Sequence, residues 1–162
     1  MKRPALIVVG LDGSPAARAA LDVALEEGLL RGATVEVVTA WVWASPYEGM
    51  AHADTFEEAK AAAWAMQDEL IGAAVAKLPE PPVISQSVVH DYAGKVLVER
   101  AGRAALLVVG HGRRGLISRA LLGSVSEYCV KHSSAPVLVV PDVDQGDALE
   151  SRPLAHSARF SG

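Results

Sequence analysis

Apolar runs rich in Val, Ile and Leu recur along the chain at Ala5–Gly10, Thr34–Trp41, Val83–Val89, Ala105–Gly110 and Pro136–Val140. A run without polar alternation suits a strand covered on both faces, the condition of a parallel sheet. Between the runs the period changes. Pro15–Arg31 spaces Ala17, Leu21, Ala24, Leu25, Gly28 and Leu29 along one stripe and keeps Arg18, Asp22, Glu26 and Glu27 off it. This predicts an amphipathic helix with Ser14 as N-cap and Pro15 at the first helical position. Thr55, with Glu58 three residues later, predicts a capping box that opens a long Ala-rich helix to Leu78, ended by Pro79, Pro81 and Pro82. Further helices are expected from Ala93 to Gly102 and from Ser124 to Ser133. The alternation of strand and helix predicts an α/β fold with right-handed crossovers and helices on both faces of one twisted sheet.

A length of 162 residues, 51% of them hydrophobic and 21% charged, fits one domain with one core. That domain is expected over residues 1–141. From 142 to 162 the chain is polar and lacks a periodic face, and it reads as a disordered C-terminal tail. Val42–Asp54 also lacks a period, contains Pro46 and Gly49 beside Trp43 and Tyr47, and reads as a loop facing a partner of unknown identity. The net charge of −4 argues against nucleic-acid or membrane-surface binding. No stretch reaches the roughly 20 apolar residues of a membrane span. Lys2 and Arg3 precede an apolar run that Asp12 cuts short, so a first strand is expected there rather than a signal peptide, and a cytoplasmic location. Cys129 is the single cysteine, which excludes an internal disulfide and a Cys-based zinc site.

Candidate chemistry gathers after the fourth strand, in Gly110-His111-Gly112-Arg113-Arg114-Gly115 and onward to Leu122-Gly123-Ser124-Val125-Ser126. A strand, a glycine-rich loop and a helix start together present backbone N–H groups and the positive helix end to an anion. Arg113, Arg114 and Arg119 either add positive charge to such a site or stand as solvated loop residues. Gly110, Gly112 and Gly115 spell G-x-G-x-x-G, yet a dinucleotide site normally follows the first strand of several, and here a single strand remains.

The stretches Val8-Val9-Gly10-Leu11-Asp12-Gly13-Ser14, Leu121-Leu122-Gly123-Ser124-Val125-Ser126-Glu127 and Ala135-Pro136-Val137-Leu138-Val139-Val140 resemble the universal stress protein family over residues 4–141. The resemblance implies a doubly wound five-stranded parallel sheet of order 3-2-1-4-5. Nucleotide-binding members carry G-x2-G-x9-G-[ST]. Gly110, Gly123 and Ser124 match its outer positions, and Arg113 occupies that of the middle glycine, with Gly112 beside it. By resemblance, Asp12 approaches the ribose, Gly10 and Ala40 line the adenine side, and Gly110, Gly112, Gly123, Ser124, Val125 and Ser126 hold ribose and phosphates. Arg113 either contacts phosphate or lowers affinity.

The family implies ATP with Mg²⁺ or Mn²⁺, or alternatively cyclic AMP or AMP, in a regulatory protein of the stress response; the other alternative is a dimeric interaction protein that binds no nucleotide and acts through Val42–Asp54. It also implies a homodimer through Val137–Val140, which an apolar edge strand independently invites. No catalytic residue and no protein metal site are expected, and at most slow ATP hydrolysis, because neither a Walker lysine nor an activated nucleophile can be identified. His52, His90, His111, His132 and His156 are scattered without ligand spacing; His132 suits the C-terminal end of its helix. Cys129 is expected to be a buried, inert thiol, and Trp41, Trp43 and Trp64 core or interface residues.

Overall fold

The computed structural model describes residues 5–42, 55–111 and 122–141. The elements are β1 (Leu6–Gly10), α1 (Pro15–Arg31), β2 (Thr34–Trp41), α2 (Phe56–Val75), β3 (Ile84–His90), α3 (Ala93–Ala101), β4 (Leu106–Gly110), α4 (Ser124–His132) and β5 (Val137–Val140). All strand pairs are parallel and the order is β3-β2-β1-β4-β5, as the resemblance implied. The predicted partner loop (Val42–Asp54 beyond its first residue) and the tail from 142 lie outside the described residues.

Each central strand divides its side chains between two cores. Ile7, Val9, Val35, Val37, Leu106 and Val108 meet α1 and α2, whereas Val8, Val38, Leu107 and Val109 meet α3 and Cys129 of α4. Burial on both faces explains why these strands read as unbroken apolar runs. β3 departs from that pattern. It is an edge strand whose residues are partly to fully exposed, and Val83, counted with the run, is 70% exposed and precedes the strand.

Helix ends follow local chemistry. Ser14 caps α1 through a bond from the Ala17 N–H, and Gly32, with φ of 58°, closes its C-terminus in the left-handed region that glycine adopts without strain. The capping box of Thr55 and Glu58 is formed. α2 ends at Val75, short of Leu78, because the chain tightens into turns in which the Lys77 and Leu78 N–H groups bond Ala74 and Val75 carbonyls ahead of the prolines. On α1 the buried stripe runs through Ala16, Ala17, Ala20, Leu21, Ala24, Leu25 and Gly28, so Leu29 falls off it and is 40% exposed. A Cβ at Gly28 would meet Val35 Cγ2 at 2.6 Å, which shows how closely the last buried position sits on the sheet.

Candidate functional site at the sheet switch point

Chain order reverses between β1 and β4, so connections leave these neighbours toward opposite faces and open a crevice beyond their carboxyl ends. Gly10 closes β1 and Gly110 closes β4. The next residue after β1 is held on both sides: the Leu11 N–H donates to the Val38 carbonyl at 2.9 Å, and the Thr39 hydroxyl donates to the Leu11 carbonyl at 2.8 Å. Asp12 follows, exposed at the crevice, and Gly13 turns the chain with φ of 84°, which favours glycine. One Asp12 carboxylate oxygen accepts from the Ser14 N–H at 3.0 Å and from its hydroxyl at 2.6 Å, and the Ser14 oxygen in turn accepts the Ala17 N–H. The carboxylate is therefore oriented by the same residue that caps α1.

Across the crevice, the His111 N–H bonds the Val140 carbonyl at 2.7 Å, and the His111 carbonyl receives the Gly123 N–H at 3.3 Å. This pair returns the chain to the end of β4 and starts α4 there. Gly123 is the N-cap, extended at φ −65° and ψ 159°, and no side chain among the described residues caps the helix. The first N–H groups of α4, from Ser124 onward, have no partner within the helix by geometry alone, the arrangement at which helix ends attract anions. Ser126 is buried, and its hydroxyl donates to the Gly123 carbonyl at 2.9 Å, so its outward contribution is the backbone N–H.

Gly110 has a packing role that its motif position did not announce. A Cβ there would lie 2.6 Å from the Ala16 carbonyl carbon and 2.8 Å from the Ala17 nitrogen, so the backbone of α1 itself rests on this residue. Gly10 faces the opposite helix layer, where a Cβ would meet the mobile end of Leu97 at 2.9 Å. Ala40 packs on that same α3 side. Gly10, Asp12, Ala40, Gly110, Gly123, Ser124, Val125 and Ser126 thus share one edge of the sheet; Gly112 and Arg113 lie outside the described residues, as do Arg114 and Arg119.

A cavity of about 430 Å³ continues from Ser124 and Val125 between the first turns of α3 and α4, walled by Tyr92, Gly94, Lys95 and Tyr128. α3 also begins without a side-chain cap, at Tyr92. Tyr128 lies against Gly94, where a Cβ would be 2.8 Å from its ring. The Lys95 ammonium bonded to Asp91 at 2.8 Å, with the Tyr92 N–H, holds the Asp91 carboxyl below its usual value, and Asp91 raises Lys95.

The other reactive side chains are accounted for locally. Cys129 is fully buried and burial pushes its thiol up from 9.0 to about 11. The ring of His132 stacks on Tyr128 at 4.1 Å and bonds the Tyr128 carbonyl at 2.9 Å through Nδ1, the C-terminal interaction expected of it. Trp41 packs with Phe56 and His90, ring centroids 4.9 and 4.7 Å away. No group of three or more His, Cys, Asp or Glu among the described residues is placed to hold a metal, and no helix among them is long and apolar enough to cross a membrane. His52, His156 and Trp43 are outside them.

Three polar residues in the interior were not singled out from the sequence. Glu36 on β2 accepts from Ser87 and Arg100, each at 2.9 Å. Thr39 and Gln67 are joined at 2.9 Å beneath the β1 turn. For Gln67 a signal existed: it stands at an apolar position of the buried stripe Gln67, Leu70, Ile71 and Ala74.

The model of the universal stress protein family matches residues 6–141. A curated universal stress protein of Mycobacterium tuberculosis is 36% identical over 136 residues, which are 82% of this chain and 44% of that protein. A relative from Mycolicibacterium smegmatis is 32% identical over 134 residues, 83% of this chain and 45% of the relative. The chain spans about half the length of these curated relatives. A solved universal stress protein in complex with cAMP is 27% identical, superposes with a TM-score of 0.66, and is matched over 87% of this chain and 99% of that one.

Proposed function

Since this chain belongs to the universal stress protein family, we propose that it binds an adenine nucleotide in the crevice between β1 and β4, as a regulatory protein of the stress response. The observation that carries the reading is the uncapped start of α4, brought beside the end of β4 by the His111 to Gly123 bond, at the same edge of the sheet as the Asp12 turn. In this reading the Ser124, Val125 and Ser126 N–H groups receive phosphate, Asp12 takes the ribose hydroxyls, and Gly10 and Ala40 border the base. Gly112 and Arg113 complete the phosphate loop.

ATP is the proposed ligand. Its Mg²⁺ or Mn²⁺ would be held by phosphate oxygens and water, because the described residues offer no group of three ligating side chains. Hydrolysis, if it occurs, is slow. Cyclic AMP or AMP is the second reading, favoured by the related protein solved with cAMP. The exposed edge of β5, where Leu138 is 37% exposed, supports a homodimer through Val137–Val140, and the location proposed is cytoplasmic. Calorimetric titration with ATP and Mg²⁺, cyclic AMP and AMP tests the site. Binding that disappears in Gly123→Val is expected, the tightest ligand identifies the class, and absence of heat with every nucleotide at millimolar concentration overturns the reading.

A further inference from the structure

Beneath the Asp12 turn lies a polar chain that a well-packed core does not require. Gln67 is wholly buried and Thr39 is 3% exposed. Gln67 Nε2 donates toward the Thr39 hydroxyl at 2.9 Å, the Ser87 carbonyl at 3.1 Å and the Val37 carbonyl at 3.2 Å. Its Oε1 has no hydrogen-bond partner among the described residues. The amide cannot be turned over to relieve this, since Oε1 would then face two carbonyl oxygens. An unmet buried acceptor is a standing cost, and an aliphatic residue would fill the same stripe without it.

The chain has a direction. A hydroxyl has one proton; because Thr39 receives a bond from Gln67, its own proton is aimed at the Leu11 carbonyl. That carbonyl belongs to the peptide that carries the Asp12 nitrogen, and the Leu11 N–H is already fixed to Val38. Gly13 and Ser14 constrain Asp12 from the other side. We infer that Thr39 and Gln67 are positioning residues that set Asp12 for recognition of the ribose hydroxyls, an inference that rests on the nucleotide reading above. The orphaned Oε1 accompanies an amide whose donors are needed to orient Thr39.

Thr39→Val and Gln67→Met remove the two links with little change in volume, and Thr39→Ser keeps the hydroxyl. Two measurements on the full chain separate the alternatives. In the free protein, amide exchange at Leu11 should quicken by about fivefold in Thr39→Val and Gln67→Met and return toward wild type in Thr39→Ser. In titrations, the preference for ATP over 2′,3′-dideoxy-ATP should shrink by about fivefold in the first two variants and recover in Thr39→Ser. Equal weakening of both nucleotides, with the ratio unchanged, is the result of general destabilisation and overturns the inference. Unchanged Leu11 exchange overturns it as well. If the wild-type chain binds neither nucleotide, the nucleotide reading falls and the ribose role with it, while the exchange measurement still decides whether Thr39 and Gln67 clamp the turn.

Discussion

On one face of the sheet, α1 and α2 begin under side-chain caps, Ser14 on one and the Thr55 and Glu58 box on the other; on the opposite face α3 and α4 begin at Tyr92 and Gly123 with none. In the capped helices an N-cap hydroxyl takes one of the first donors, the Ala17 N–H in α1 and the Glu58 N–H in α2, and both sit on a core of aliphatic side chains interrupted by the Thr39 and Gln67 link. The uncapped pair has no side-chain acceptor for its first donors among the described residues. In the proposed function, a helix start that looks deficient by its own stability is the one that receives the anion, and the difference between the faces separates scaffold from site.

The largest expected break of this contrast is at the seam where α1 rests on β4. Gly110→Ala forces a Cβ against backbone atoms of Ala16 and Ala17, which cannot rotate away, and should cost about 3 kcal/mol in chemical denaturation. Gly10→Ala on the other face meets only the end of Leu97 and should cost about 1 kcal/mol. Similar losses at the two glycines would show that the faces are equally yielding.

On the α3 and α4 face the test is pH. The folded chain holds the Cys129 proton more tightly than the unfolded chain, so the contribution is complete below pH 9 and is lost as pH rises toward 11. Wild type should lose about 2 kcal/mol more than Cys129→Ala over that window, measured by urea unfolding. Parallel pH profiles would count against a buried thiol. Caps give the smallest effects. Ser14→Ala should destabilise by about 1 kcal/mol, whereas Gly123→Asp, at an extended backbone that suits a cap, should stabilise by a few tenths of a kcal/mol. The same Asp should weaken nucleotide binding by filling the open end of α4 with its own carboxylate. A gain in stability without loss of binding would detach the uncapped start from the ligand.

Much of this was legible in the chain. Continuous apolar runs located the central strands because those strands are covered twice, and Ser14 and the Thr55 box marked helix starts because their chemistry is local. β3 was read as equally buried because a short run does not reveal an edge position. Gly110 was legible as part of a loop motif, yet its contact with Ala16 and Ala17 joins residues far apart in sequence and has no local signature. The same is true of the Thr39 hydroxyl reaching Leu11, and of Glu36, whose partners Ser87 and Arg100 lie on β3 and α3.

The bond between the Gly123 N–H and the His111 carbonyl has a consequence for how such a chain can vary. The start of α4 is fixed to the end of β4 by main-chain groups alone, and these remain in place whatever side chains are substituted.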